Sequence, residues 1–174
     1  RDHAAEELIV PMYEAFQGEI ISRRPTEVVL EVGGISYRFC VPLSTSNALP
    51  LKGSARLLSH LVVRDDKLEL IGFLSEPERT LFRHLIGVSG IGPAVALQVL
   101  SRASVLEFVT AVRDENRAFL NAIKGVGKKT ADQILLDLRD DFPRSVAHLR
   151  RYDVLFVNPI RDGLNLVAEE GPLV

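Results

Sequence analysis

An internal repeat in the second half of the chain restricts its fold more than any other feature. Leu85-x-x-Val88-x-Gly90-Ile91-Gly92-x-x-x-Ala96-x-x-Val99-Leu100 recurs as Leu120-x-x-Ile123-x-Gly125-Val126-Gly127-x-x-x-Ala131-x-x-Ile134-Leu135, at a constant offset of 35 residues. Apolar residues run up to and away from each Gly-x-Gly at helical spacing, so each copy is a helix, a tight turn and a second helix. The first glycine ends a helix in the left-handed conformation that residues with a Cβ avoid. The apolar residue between the glycines plugs the core. The second glycine lets a ligand come close where the next helix starts, with unpaired backbone N–H groups and the positive end of the helix dipole pointing outward. Such a terminus receives anions, phosphate being the usual one. In the second copy Lys128 and Lys129 add charge at the same spot. Backbone donors meet phosphate and not base edges, so binding of this kind is largely independent of sequence, and two hairpins at fixed spacing suit the two strands of a duplex.

Two other glycine-rich readings fail. A P-loop requires Gly and Ser or Thr where Ala122 and Lys129 stand. A dinucleotide fingerprint requires a preceding strand and a third glycine, where Val95 and Thr130 stand.

The first half is built differently. Thr26–Val32 is rich in β-branched residues, Gly33-Gly34 supplies a tight turn, and Ile35–Val41 alternates, which predicts a hairpin. Residues 14–21 read as a strand bent or bulged at Gly18. Ala55–Val63 and Leu68–Leu74 flank the charged turn Arg64-Asp65-Asp66-Lys67. Five strands in so short a stretch predict a small closed barrel, which leaves no sheet edge exposed. At Ser75 the period becomes helical, with Pro77 in the first turn and Glu78 completing a capping box. The expected fold class is all-β plus all-α in two domains: a five-stranded OB-fold barrel over residues 12–75 and a tandem helix-hairpin-helix unit over 76–142. Residues 1–11 are read as an extension outside the fold, with Met12 the natural start, and 143–174 as a linker and short atypical tail.

Composition at first argues against a nucleic-acid binder. The 174 residues carry 21 Lys+Arg against 23 Asp+Glu, a net charge of -2, where a basic domain is the usual footprint. Backbone N–H groups carry no formal charge, however, and residues 1–11 hold three acids against one base. A lone Cys40 excludes a disulfide framework and a cysteine-based zinc site, and places the chain by default in a reducing cytoplasm. No apolar run is long enough to span a membrane.

The runs MYEAFQGEI, VVLEVGGISYRFCVPLST, HLVVRDDKLELIGF, ERTLFRHLIGVSGIGP and KGVGKKTADQILLDLRD together span Met12 to about Phe142. By these runs the chain resembles the RuvA family, which binds Holliday junctions in the bacterial branch migration complex. The resemblance implies a homotetramer whose flat face holds an open four-way junction, with the RuvB ATPase motor and the RuvC resolvase as partners. It implies phosphate contacts from Gly90, Ile91, Gly92, Gly125, Val126, Gly127, Lys128 and Lys129. Asp65 and Asp66 match the family's acidic pin, so that eight carboxylates from four chains would meet at the crossover. Taken alone, the Arg64–Lys67 run reads as a solvated turn. One departure concerns the first hairpin: the family often has a lysine where Ala94 stands, which leaves backbone donors, with Arg79, Arg83 or Arg102 as helpers. Another is the tail, which is too short and too irregular across Pro159 and Gly163 for the family's three-helix motor-docking domain.

No catalytic constellation, cofactor or metal is expected. His3, His60, His84 and His148 lack ligand spacing; His60 reads as a surface or strand-pairing residue and Cys40 as packed core. The rival reading is a helix-hairpin-helix DNA glycosylase, with Asp137 or Asp140 as the catalytic acid; it leaves the β unit unexplained and has few helices for a base-flipping pocket. A third reading is a scaffold that binds no nucleic acid.

Overall fold

A computed structural model describes residues 12–64 and 67–139. Strands β1 (Ala15–Arg24), β2 (Glu27–Val32), β3 (Ile35–Cys40), β4 (Ser54–Arg64) and β5 (Lys67–Phe73) close a barrel in the order β1-β2-β3-β5-β4. All pairings are antiparallel except β3 with β5, where Phe39 lies opposite Leu70 and Cys40 opposite Ile71. β1 closes the ring because it is long enough to serve two neighbours: Ala15–Glu19 pair with β4 and Glu19–Arg24 with β2.

The β2–β3 turn is as expected. Gly33 (φ 59°) and Gly34 (φ 83°) are both left-handed, as a two-residue turn matching strand twist requires. The bulge in β1 is elsewhere: the register slips between Ile20 and Ser22, not at Gly18. Gly18 answers a different constraint, since a Cβ there would lie 2.1 Å from the carbonyl oxygen of Glu31. The crossing strand needs a residue with no side chain. Inside the barrel, Phe16, Ile20, Val28, Leu30, Phe39, Val41, Leu49 and Leu57 form a buried cluster.

Between β3 and β4 the chain forms a short helix, α1 (Leu43–Ala48), where periodicity gave no sign of one. Arg23 donates to the carbonyls of Ser46 and Leu49 at its C-terminal end, supplying partners a short helix lacks. The helical unit comprises α2 (Glu76–Gly87), α3 (Pro93–Arg102), α4 (Val105–Arg113), α5 (Arg117–Asn121) and α6 (Lys128–Leu138). Ser75 caps α2 in the expected capping box with Glu78, and Ser104 with Glu107 repeats the device on α4.

Barrel and helices share one core: Ile71 and Phe73 of β5 pack with Leu81, Phe82 and Leu85 of α2 and onward to α6. Fully burying Phe82 contributes about 2 kcal/mol. Two residues mark this seam, and one of them changes role. Arg79 is 5% exposed; it pairs with the carboxylates of Glu14 and Glu76 and donates to the carbonyls of Glu14 and Ser59, so it is a strut between barrel and helix and not a helper for DNA. His60 pairs with Ile71 across β4 and β5, as expected, and is half-buried with its ring 5.5 Å from that of Phe82, at the same seam. α1 adds a further tie, the Leu43 N–H donating to Ser101 Oγ (2.9 Å) and Ser44 Oγ to the Leu100 carbonyl (3.1 Å).

Candidate nucleic-acid interface

The two repeats fold alike bond for bond. In the first, the Val88 N–H donates to the Leu85 carbonyl (3.1 Å) and the Ile91 N–H to that of Val88 (3.0 Å). In the second, Ile123 donates to Leu120 (3.1 Å) and Val126 to Ile123 (3.0 Å). Gly90 (φ 87°) and Gly125 (φ 92°) are left-handed, as the repeat requires. Ile91 and Val126 are each 5% exposed. With their side chains in the core and their N–H groups engaged, these two hold the shape of the turn.

Gly92 and Gly127 are the N-caps of α3 and α6, both in extended backbone and with no side-chain cap. The amides of Ala96 and Ala131 return to the carbonyls of Gly92 (3.0 Å) and Gly127 (2.8 Å), and the amides before them have no acceptor within the helix. On α6 these are the amides of Lys128, Lys129 and Thr130, with both lysines exposed. On α3 they are only those of Ala94 and Val95, because Pro93 has no N–H. The hairpins touch: a Cβ on Gly125 would meet Val95 Cγ2 at 3.1 Å, so the second turn seats on the first turn of α3.

The other residues named from sequence fall as follows. Asp65 and Asp66 lie outside the described residues, between Arg64 and Lys67, which pair across the β4–β5 ladder. Arg102 ends α3, about 14 Å along the axis from its start, too far to assist the first hairpin. Arg83 lies close enough to Glu14 and His60 to affect both ionisations, which puts it by the seam. Arg64 was missed. Its Nη2 lies 3.5 Å from where a Cβ on Gly92 would be, and no local pattern in the sequence links the end of a strand to a turn so far along the chain.

The alternatives to binding gain little. Asp137 is exposed and accepts a hydrogen bond from Gln133 (2.8 Å); it does not line the shallow depression formed by Leu106, Thr110, Asn116 and Phe119. Asp140 lies outside the described residues. Burial, then the Glu69 carboxylate, pushes the half-buried Cys40 thiol up, away from the thiolate a nucleophile needs. Among the described residues no cluster of three or more His, Cys, Asp or Glu is placed to hold a metal ion. Among them, too, no single helix is long and apolar enough to cross a membrane; α3 and α4, apolar together, meet at 99° and turn Ala96, Val99, Phe108 and Val112 into the core.

Residues 12–72 match the RuvA N terminal domain, and residues 82–140 match the SAM-like helix-hairpin-helix tandem. A protein named Holliday junction branch migration complex subunit RuvA, from Syntrophotalea carbinolica, is 43% identical over 129 residues. Over its matched residues the chain belongs to the RuvA family. RuvA proteins from Chlorobium luteolum (48% over 130 residues) and Actinobacillus pleuropneumoniae (42% over 132 residues) agree. The three matches cover 74%, 74% and 75% of this chain, and 66%, 65% and 66% of the relatives. The chain thus spans just under two thirds of the RuvA relatives it matches.

Proposed function

We propose that this chain binds four-way (Holliday) DNA junctions by shape and holds them open for branch migration driven by a partner ATPase. The observation that carries the reading is the pair of hairpins with like geometry, seated against each other, each presenting a bare glycine N-cap and free helix amides. Donors of this kind suit phosphates and ignore base identity. Gly90, Gly92, Gly125 and Gly127, with Lys128 and Lys129, form the grip; Ile91 and Val126 hold its shape. Asp65 and Asp66 form an acidic pin at the crossover, where carboxylates repel phosphates and favour strand separation. Four copies present four pins to one junction. The chain itself performs no catalysis; RuvB supplies the motor and RuvC the resolvase, in homologous recombination and DNA repair. The names of the relatives and the match to the RuvA N terminal domain support this assignment over a lone helix-hairpin-helix enzyme.

Gel-shift competition at stated salt tests it. A four-way junction is expected to outcompete linear duplex of equal length by about tenfold or more; equal affinity would remove the junction claim. Replacing Asp65 and Asp66 with Asn is expected to leave junction affinity intact or raised while changing branch migration. Loss of folding would mean that the pair serves the turn.

A further inference from the structure

We infer that Arg64 is the cation of the first hairpin, so that this grip on DNA is shared between the barrel and the helical unit. The inference rests on the junction-binding reading above and deepens it. The first hairpin is short of positive charge and of donors: its N-cap is bare, Pro93 has no N–H, and the exposed residue after it is Ala94. The second has Lys128 and Lys129 on its own helix, and nothing lies within 4 Å of a Cβ placed on Gly127. At Gly92, by contrast, a guanidinium nitrogen of Arg64 stands at 3.5 Å from that position. Arg64 is exposed, and among the described residues it has no ion pair. The last residue of β4 thus supplies what α3 lacks, and the planar fork of arginine suits a phosphate also held by helix amides. The ligand is a backbone phosphodiester of the DNA arm.

The position has a consequence for specificity. Arg64 immediately precedes Asp65 in the chain, so the phosphate it holds lies beside the proposed pin. Linear duplex has no crossover for that pin. Arg64 is therefore a specificity residue for junctions, while Lys128 and Lys129 act on duplex in general.

The test is salt-dependent binding of the full chain to a four-way junction and to linear duplex, with Arg64→Gln, Arg64→Lys and Arg64→Gln combined with Ala94→Lys. Arg64→Gln is expected to weaken junction binding about tenfold, to weaken duplex binding much less, and to flatten the junction salt slope by about one. Arg64→Lys is expected to keep most of the affinity. Ala94→Lys, which returns a cation to the same turn, is expected to restore the slope lost in Arg64→Gln. Equal loss on junction and duplex, or an unchanged slope, would overturn the inference. If the unaltered chain shows no preference for junctions, it is the underlying reading that fails. Because Arg64 is exposed, the melting temperature is expected to stay put, and a folding defect with no rescue by Ala94→Lys would assign Arg64 a structural role instead.

Discussion

The two hairpins are nearly one object drawn twice, and they differ in what surrounds them. Their turn glycines share a left-handed backbone, their plug residues are equally buried, and their hydrogen bonds correspond one for one. The first, however, rests on the barrel: α2 leads into it with Phe82 packed on Phe73 and with Arg79 tying α2 to Glu14 and Ser59. The second rests on the first, through Gly125 against Val95. Surface ion pairs of Arg117 with Asp132 (2.9 Å) and Arg139 with Glu115 (2.9 Å) brace α5 and α6. The first has Pro93 and Ala94 at its helix start, the second Lys128 and Lys129. Glycine spacing and a plug therefore make the shape of the turn, and its charge is an independent variable that the fold can supply from elsewhere.

The difference can be broken at its largest point, the seat between the hairpins. Gly125→Ala meets both the left-handed backbone and Val95, and is expected to cost about 3 kcal/mol of stability, whereas Gly90→Ala meets only the backbone and is expected to cost about 1 kcal/mol. Denaturant unfolding of the two variants measures this; equal losses would show that the hairpins do not bear on each other. Next in size, Lys128→Ala with Lys129→Ala is expected to weaken binding to junction and duplex alike, by about tenfold, and to flatten both salt slopes by roughly two. An unchanged slope would move the second grip elsewhere.

The smallest effect concerns the seam under the first hairpin alone. Burial lowers the pKa of His60, and the nearby Arg83 and Arg79 lower it further. A histidine with a depressed folded pKa binds fewer protons folded than unfolded, so its stabilising contribution is complete above the ordinary value of about 6.5 and is lost as pH falls toward the lower folded value. Acidification from about pH 7 to about pH 5 is thus expected to lower stability slightly, and His60→Gln to remove that dependence.

Much of this molecule was legible from local patterns. The Gly-x-Gly repeat, the Gly33-Gly34 turn and the Ser75 capping box each depend on residues a few positions apart, and each formed where the pattern lay. α1 was not legible: Leu43–Ala48 is too short for a period to show, and it is held by Arg23 and Ser101. Glycine is the usual sign of a bulge, and it points to Gly18. The barrel instead uses Gly18 for a close strand crossing and slips register two residues later.

The same division separates the parts of the proposed site. Its backbone donors follow from sequence alone, because where a helix starts, and which amides are then left free, is settled by the residues at that turn. The roles of the arginines were decided only by tertiary structure. Arg79, Arg64 and Arg102 are alike as residues of a near-neutral chain, yet the first is buried between Glu14, β4 and α2, the second stands beside Gly92, and the third lies at the far end of α3. A long cationic side chain goes where carboxylates, carbonyls and open space let it, and those are set by strands and helices distant in sequence and brought together only when the barrel closes and the shared core forms.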